Sequence, residues 1–174
     1  PTSAPGWSSI DLTGGFVAPV QPLGIDVGLI AGREQRDTDP AASAAAVFAQ
    51  ALRDAGIEVR EGPTRGSLPE GSDGAPGPEE LARVESATIG EVLDLAMADS
   101  DNTLTEVVGR LVAIEAGQPA TFAGATSSTL AVLANLGLDV GGTTLSDSSG
   151  LSSENRISAR LLADVLLLGA TDPS

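Results

Sequence analysis

A short polar segment, Ser100, Asp101 and Asn102, lies between two stretches of the sequence with helical apolar spacing. That spacing predicts two helices that meet almost without a linker, so the three side chains stand at a helix N-terminus. The first backbone N–H groups of a helix are unpaired, and the helix dipole favours negative charge there. Ser100 and Asn102 are therefore candidates to project a hydroxyl and an amide into one cleft. Helix capping is the alternative, because Ser, Asp and Asn are common capping residues.

A second polar segment, Leu145 to Ser152, reads LSDSSGLS and precedes the last apolar stretch of the chain. Asp147 and Ser149 are its candidates for binding a substrate, as part of a cluster of small polar side chains. A turn in which Asp and Ser side chains bond their own backbone explains the segment equally well. On the residues alone, both interpretations stay open.

The composition excludes several kinds of chemistry. The 174 residues include no His and no Cys, and all nine basic residues are Arg. An imidazole base, a thiol nucleophile, a thiolate metal site and a lysine base are therefore all excluded. A calcium site at Asp99 and Asp101 has too few regularly spaced oxygen ligands, and nothing positions a carboxylate pair for glycoside hydrolysis. We expect no metal and no cofactor.

The charge of the chain restricts its partners. Twenty-four Asp and Glu residues against nine Arg give a net charge of −15, which repels nucleic acid phosphates and anionic lipid. The longest apolar run, Leu161 to Ala170, is interrupted by Asp164 and is too short to span a membrane. We expect no nucleic-acid partner and no membrane segment. The first residue is Pro1, so we expect that the true N-terminus has been removed or lies elsewhere.

The first part of the sequence predicts a helix between two strands. Asp39 and Pro40 are typical of a helix start, and apolar residues at spacings of three and four continue to Gly56. The segments 22–30 and 57–61 are predicted strands. This pattern favours a sheet with helices packed on it over a helical bundle. The segment 62–78, in which nine of seventeen residues are Gly or Pro, is predicted to be a surface loop joining two lobes.

The later part of the sequence predicts four helices. Thr88 with Glu91, and Thr103 with Glu106, have the spacing of a capping box. A third helix is predicted from Phe122 to Leu136, and Ser158 is the predicted N-cap of a fourth.

Several segments together resemble a known family. The ordered motifs are the S-D-N at 100–102, the run DSSGLS at 147–152 and the N-R-x-S at 155–158. They resemble the class C penicillin-binding proteins, the D-alanyl-D-alanine carboxypeptidase/endopeptidase family of the serine β-lactamase/transpeptidase superfamily. In that family S-D-N opens a helix. A D-G-S-G-L-S loop follows some forty residues later, and this chain departs from it in having Ser148 in place of Gly. Pro5-Gly6-Trp7, Ala18-Pro19-Val20 and the helix 40–56 also fit the family.

The resemblance implies an α+β fold, the transpeptidase fold, with an antiparallel sheet covered by helices. Residues 1–174 would form a helix-rich part of that domain with a few antiparallel strands. By match to the family, Ser100 relays a proton toward the leaving amine, Asn102 holds a substrate amide and Asp101 is structural. The implied partners are peptidoglycan stem peptides and β-lactams, and the implied location is outside the cytoplasmic membrane.

The family also uses an S-x-x-K nucleophile and a K-T-G strand, and this chain has no Lys. Arg cannot replace the lysine base, because its guanidinium stays protonated. The chain is therefore interpreted as an internal fragment of a serine-type D-Ala-D-Ala carboxypeptidase. The alternative is a non-catalytic wall-peptide-binding or scaffold module of the same fold. In an internal fragment, the apolar stripes of the Thr88 helix and of residues 161–167 are expected to be exposed.

Overall fold

The computed structural model describes residues 2–31, 35–66 and 81–171. Helices dominate this part of the chain. The six α-helices, in chain order, are α1 (Ser9–Thr13), α2 (Pro40–Asp54), α3 (Ile89–Ala98), α4 (Asn102–Glu115), α5 (Phe122–Asn135) and α6 (Ala159–Thr171), and a short 3₁₀ helix spans Asp26–Gly28. Within the same ranges, β structure is limited to two isolated antiparallel bridges, Leu29 with Arg36 and Thr144 with Arg156. The prediction of a helix-rich chain is confirmed.

The predicted strands at 22–30 and 57–61 are wrong. Asp26 and Val27 both have φ of +48°, and Gly28 has φ of +76°, so the backbone turns sharply in the middle of the first segment. Leu29 alone in that segment forms a bridge. Residues 57–61 have no regular structure. Alternating apolar residues make a strand only where a neighbouring strand continues the backbone hydrogen bonding. Within the described residues, the first segment has only the bridge from Leu29 to Arg36, and the second has no bridge.

Most of the predicted helix boundaries are confirmed. Asp39 caps α2 through Ala42 N, and Thr88 and Glu91 form the predicted capping box of α3. Helix α5 starts at Phe122, as predicted, and Ser158 Oγ accepts the N–H of Leu161 at the start of α6. Of the predicted loop at 62–78, residues 62–66 have no regular structure, and the rest lies outside the described residues.

The capping box predicted for Thr103 and Glu106 is wrong. Asp101 is the N-cap of α4, and its carboxylate accepts the N–H of Leu104. Thr103 instead accepts the N–H of Ala18, and Glu106 accepts from a distant loop. Both side chains bind partners far away in the sequence, so capping-box spacing alone was misleading.

The two helices α4 and α5 pack most extensively against each other. Gly109 of α4 lies against Ala125 of α5, and the small residues Ala113 and Ala125 are both fully buried. Small residues let two helices approach closely. Beside this contact, Phe122 packs with Ala4, Val20 and the half-buried Trp7.

The apolar stripes of α3 and α6 are exposed, as expected. Met97 is 79% exposed and Leu166 is 75% exposed, although Leu161 at the start of α6 is buried. No helix in the described ranges is long and apolar enough to cross a membrane.

We predict that Gly109→Ala destabilises the protein. A Cβ at this position of α4 would lie 2.8 Å from Ser148 Cβ and still closer to Ser148 Oγ. Overpacking of this kind costs about 1–3 kcal/mol, which exceeds the roughly 0.5–1 kcal/mol that replacing Gly by Ala gains in a free helix. Urea unfolding measures the difference.

The matched control is Gly90→Ala in α3, where an added Cβ meets no atom within 4 Å. It should leave the free energy of unfolding unchanged or slightly higher. Equal effects of the two substitutions would contradict the close contact between α4 and the Ser148 loop.

Candidate functional site

The turn between α3 and α4 places Ser100 at the surface. Ser100 has φ of +52°, in the left-handed region that residues other than glycine rarely adopt. The N–H of the next residue, Asp101, reaches back to the carbonyl of Ala96 at 2.9 Å and closes the end of α3. The Ser100 side chain is exposed, so its hydroxyl is accessible to a ligand.

Asp101 points into the protein. One carboxylate oxygen accepts the N–H of Leu104 at 2.9 Å, and the other forms an ion pair with Arg36 at 2.9 Å. The side chains of Asp101 and Arg36 are each only 8% exposed. Asp101 also borders a cleft of about 400 Å³ formed with residues 26–31.

Asn102, the first residue of α4, is half-buried and oriented by the chain. Its Nδ2 donates to the carbonyl of Phe16 at 3.0 Å. Two residues along that segment, the N–H of Ala18 donates to Thr103 Oγ1 at 2.9 Å. Residues 16–18 therefore lie along the start of α4 and fix the Asn102 amide. A common cleft for Ser100 and Asn102 stays a prediction, since neither residue lines the cleft beside Asp101.

Asp147 is a buried centre of hydrogen bonds and is only 1% exposed. Five groups of the chain donate to its two carboxylate oxygens: Trp7 Nε1 at 2.8 Å, Ser152 N at 2.6 Å, Gly150 N at 3.0 Å, Asn155 Nδ2 at 2.6 Å and Ser149 Oγ at 3.3 Å. These five hydrogen bonds occupy the acceptor positions of both carboxylate oxygens. The geometry therefore favours a role in shaping the loop over direct contact of Asp147 with a substrate.

Ser149 is half-buried in the same loop and is more accessible than Asp147. With Gly150 and Asn155 it borders a cleft of about 390 Å³, whose other wall is formed by leucines of α5 and α6. The Ser149 hydroxyl already donates to Asp147, and as a hydroxyl it can still accept a hydrogen bond. Direct substrate binding by Ser149 stays a prediction.

Glu106 is the residue of this region that sequence reasoning missed. It is fully buried, and its Oε1 accepts the N–H groups of Ser148 at 2.9 Å and Ser149 at 2.8 Å. Its Oε2 and the Ser148 hydroxyl are buried without a hydrogen-bond partner. Burial raises the pKa of the Glu106 carboxyl, and the nearby Asp147 raises it further, against the two backbone hydrogen bonds. Local sequence offers no clear signal for this role, because Glu106 shares its face of α4 with the polar Asn102 and Arg110 and its capping-box spacing with Thr103 suggested a local partner.

Arg110, one turn after Glu106, lies against the aromatic core. Its guanidinium carbon is 4.2 Å from the centre of the Phe122 ring, and its Nη1 donates to the carbonyl of Ala120 at 2.7 Å. Phe122 also makes an edge-to-face contact with Trp7, with the ring centres 5.4 Å apart. Burial lowers the pKa of Arg110, although an arginine stays protonated and cannot act as a base.

Helix α4 connects the two polar segments. Asn102 and Glu106 are four residues apart, so they share a face and are separated by about 6 Å along the axis. Asn102 belongs to the S-D-N segment at 100–102, and Glu106 accepts backbone N–H groups from the segment at 145–152. The site thus presents hydroxyl and amide groups on a fixed backbone, and the chain supplies it with no Lys, His or Cys side chain. No group of three or more metal-binding side chains occurs within the described ranges.

Comparisons with known proteins identify relatives of the chain. The family model described as D-Ala-D-Ala carboxypeptidase 3 (S13) matches residues 33–174. The carboxypeptidase DacB of Mycolicibacterium smegmatis is 36% identical over 179 residues, which cover 100% of this chain and 37% of that protein. A carboxypeptidase of Mycobacterium tuberculosis is 36% identical, with 99% of this chain and 36% of the relative covered. A D-alanyl-D-alanine carboxypeptidase of Actinomadura is 31% identical over 74% of this chain and 23% of its own length.

We predict that Glu106 gives the stability of the protein a measurable pH dependence. Because its pKa is raised on folding, the folded state takes up the proton more readily than the unfolded state. The resulting stabilisation is fully present below the ordinary carboxyl pKa and is lost as the pH rises through the raised value. Glu106→Gln removes this titration, so its stability relative to the wild type should rise with pH by about 1.4 kcal/mol for each unit of pKa shift. Urea unfolding of both proteins from pH 3 to pH 8 measures the difference.

The matched control is Glu91→Gln, because the capping bonds of Thr88 lower the pKa of the exposed Glu91. Its stabilisation is present above the ordinary pKa and is lost as the pH falls, so its difference curve should have the opposite sign. A pH-independent difference for Glu106→Gln would show that Glu106 titrates alike in the folded and unfolded states.

Proposed function

The chain belongs to the D-Ala-D-Ala carboxypeptidase 3 (S13) family, and from that membership we propose that it is part of a longer serine-type carboxypeptidase acting on peptidoglycan stem peptides. The two mycobacterial relatives are named carboxypeptidases, and the chain spans 37% and 36% of their lengths. The Actinomadura relative is named a D-alanyl-D-alanine carboxypeptidase. The remainder of the longer protein would complete the α+β transpeptidase fold.

In the proposed reaction, the serine of an S-x-x-K outside these residues attacks the carbonyl carbon of the terminal D-Ala-D-Ala peptide bond. The C–N bond breaks, a proton passes to the leaving amine, and D-Ala departs. Water then hydrolyses the acyl-enzyme ester and regenerates the serine. This chain has no Lys, so both the lysine base and the K-T-G must come from elsewhere in the longer protein.

The observation that carries the proposal is the alternation of side chains in the S-D-N turn. Asp101 is buried in an ion pair with Arg36, whereas Ser100 is exposed. The side-chain amide of Asn102 is oriented by the backbone carbonyl of Phe16. A proton relay requires an accessible hydroxyl, and substrate binding requires a positioned amide. We therefore assign Ser100 to the relay of the proton toward the leaving amine and Asn102 to holding a substrate amide.

The loop at 147–149 is proposed to support the same substrate. Ser149 borders an open cleft and can present its hydroxyl, while Asp147 shapes the loop from within. The family assignment further suggests that β-lactams bind the longer protein. It also suggests a location outside the cytoplasmic membrane, where stem peptides are found.

A non-catalytic module that binds wall peptides is the second candidate. The observation in its favour is that 174 residues contain no Lys, His or Cys and so no conventional base for a serine nucleophile. The residues that flank this segment in the longer protein decide between the two candidates. An S-x-x-K before it and a K-T-G after it support the enzyme.

We predict that the 174-residue chain by itself forms no covalent adduct with penicillin. The lysine that activates the nucleophile in this family is absent from this chain, as are His and Cys, and the nucleophile itself is proposed to lie elsewhere. Intact-mass spectrometry after incubation measures the adduct, and the longer protein, which should be acylated once, is the positive control. A stoichiometric adduct on the chain alone would overturn the proposed division of the active site.

We predict that Ser100→Ala in the longer protein lowers turnover of a D-Ala-D-Ala peptide by about 10² to 10⁴, the scale of a positioned acid–base group. Asn102→Ala should weaken substrate binding by about 1–3 kcal/mol, because it leaves a substrate amide unpaired. Steady-state hydrolysis and thermal melts measure both effects.

Ser100→Gly separates catalysis from capping. Glycine relieves a left-handed backbone that costs other residues about 1–2 kcal/mol, so this variant should melt at a higher temperature and still lose turnover. Ser86→Ala is the matched control, because Ser86 is exposed and its hydroxyl bonds the adjacent carbonyl of Ala87. Wild-type turnover in Ser100→Gly would assign Ser100 to the helix end alone.

A further inference from the structure

We propose that Arg36 is the positioning residue that sets the geometry of the S-D-N turn, an inference that rests on the proposed function for its catalytic meaning. Arg36 lies 65 positions before Asp101 and belongs to none of the motifs of the sequence analysis. Nevertheless its guanidinium reaches the turn through the protein interior, where the side chain is 8% exposed.

The guanidinium holds three separate segments at once. Its Nη2 pairs with Asp101 at 2.9 Å, its Nη1 donates to the carbonyl of Val27 at 3.0 Å, and its Nε donates to the carbonyl of Gly15 at 3.1 Å. Arginine suits this task because its donors are fixed in one plane, whereas lysine offers a single charged nitrogen on a flexible chain.

These contacts act on both proposed functional side chains. The Asp101 carboxylate that Arg36 binds also caps α4, so the ion pair fixes the residue between Ser100 and Asn102. The carbonyl of Gly15 precedes that of Phe16, which accepts the Asn102 amide. Arg36 therefore anchors the backbone of the turn and also the segment that orients Asn102.

The third contact stabilises a strained turn. Val27 is β-branched and has φ of +48°, a conformation that such residues adopt only when their surroundings impose it. Arg36 binds the carbonyl of Val27, and the N–H of Asp37 donates to the next carbonyl, that of Gly28, at 2.7 Å. The strained backbone thus brings an additional acceptor to the guanidinium that holds the S-D-N turn.

The test uses Arg36→Lys in the longer protein, since lysine keeps a positive charge opposite Asp101 but lacks the planar set of guanidinium donors. At a temperature where melts show the variant folded, kcat/KM for a D-Ala-D-Ala peptide should fall by about 10- to 100-fold, the usual effect of a small misplacement of catalytic groups. In the Ser100→Ala background, the same substitution should lower kcat/KM much less, by roughly threefold or below. The effects of substitutions are not additive at residues that act through one another.

A second measurement is independent of turnover. Hydrogen–deuterium exchange of the backbone amides of residues 101–105 should be faster in Arg36→Lys than in the wild type, with exchange in α6 unchanged. The matched control is Arg160→Lys, an exposed arginine paired with Asp164 at 2.8 Å, which should alter neither readout at the turn.

Each outcome bears on the proposal. An equal loss of kcat/KM with and without Ser100 would show that Arg36 does not position Ser100 and would overturn its proposed control of the whole S-D-N turn. Unchanged exchange at residues 101–105 would also overturn it. If the wild-type longer protein does not hydrolyse the peptide, the proposed function fails, and faster exchange still supports control of the turn by Arg36.

Discussion

A buried carboxylate costs free energy unless hydrogen-bond donors reach it, and this requirement determines how the chain is organised around α4, where Oε2 of Glu106 is left without a donor. Glu106 and Asp147 lie side by side in the interior, and both are almost completely buried. The backbone N–H groups of Ser148 and Ser149 donate to Glu106, and those of Gly150 and Ser152 donate to Asp147. The side chains of Trp7, Asn155 and Ser149 also donate to Asp147. The first residues of the chain, the inner face of α4 and the loop before α6 are thereby fixed together.

The same requirement operates at the start of α4, where Asp101 is satisfied by its own helix and by Arg36. Polar contacts have this importance because the apolar core is small: much of it is alanine, and many larger apolar side chains on α3 and α6 remain exposed. In a longer carboxypeptidase of this family, those exposed stripes are surfaces on which further elements can pack. A polar framework of this kind keeps hydroxyl and amide groups in defined positions, which catalysis requires.

Helix ends were predictable from the sequence because their signals are local. Asp39, Thr88 and Ser158 cap the helices that they were predicted to cap, and Gly56 ends α2 with φ of +81°. Strands were not predictable in this way, since a strand depends on a partner that is often far away in the sequence. The segment 22–30 illustrates the point: its apolar alternation is real, yet its backbone turns at Val27 to meet Arg36.

By itself, the sequence determined the helices, the absence of any lysine, histidine or cysteine chemistry, and the S-D-N tripeptide at a helix start. Tertiary structure alone decided what each polar residue of the site does. Thr103 and Glu106 have capping-box spacing, yet they bind Ala18 and the Ser148 loop, and Asp147 is enclosed by donors from both ends of the chain. The physical reason is that the partner of a buried polar group is selected by proximity in the folded chain, which local sequence does not encode.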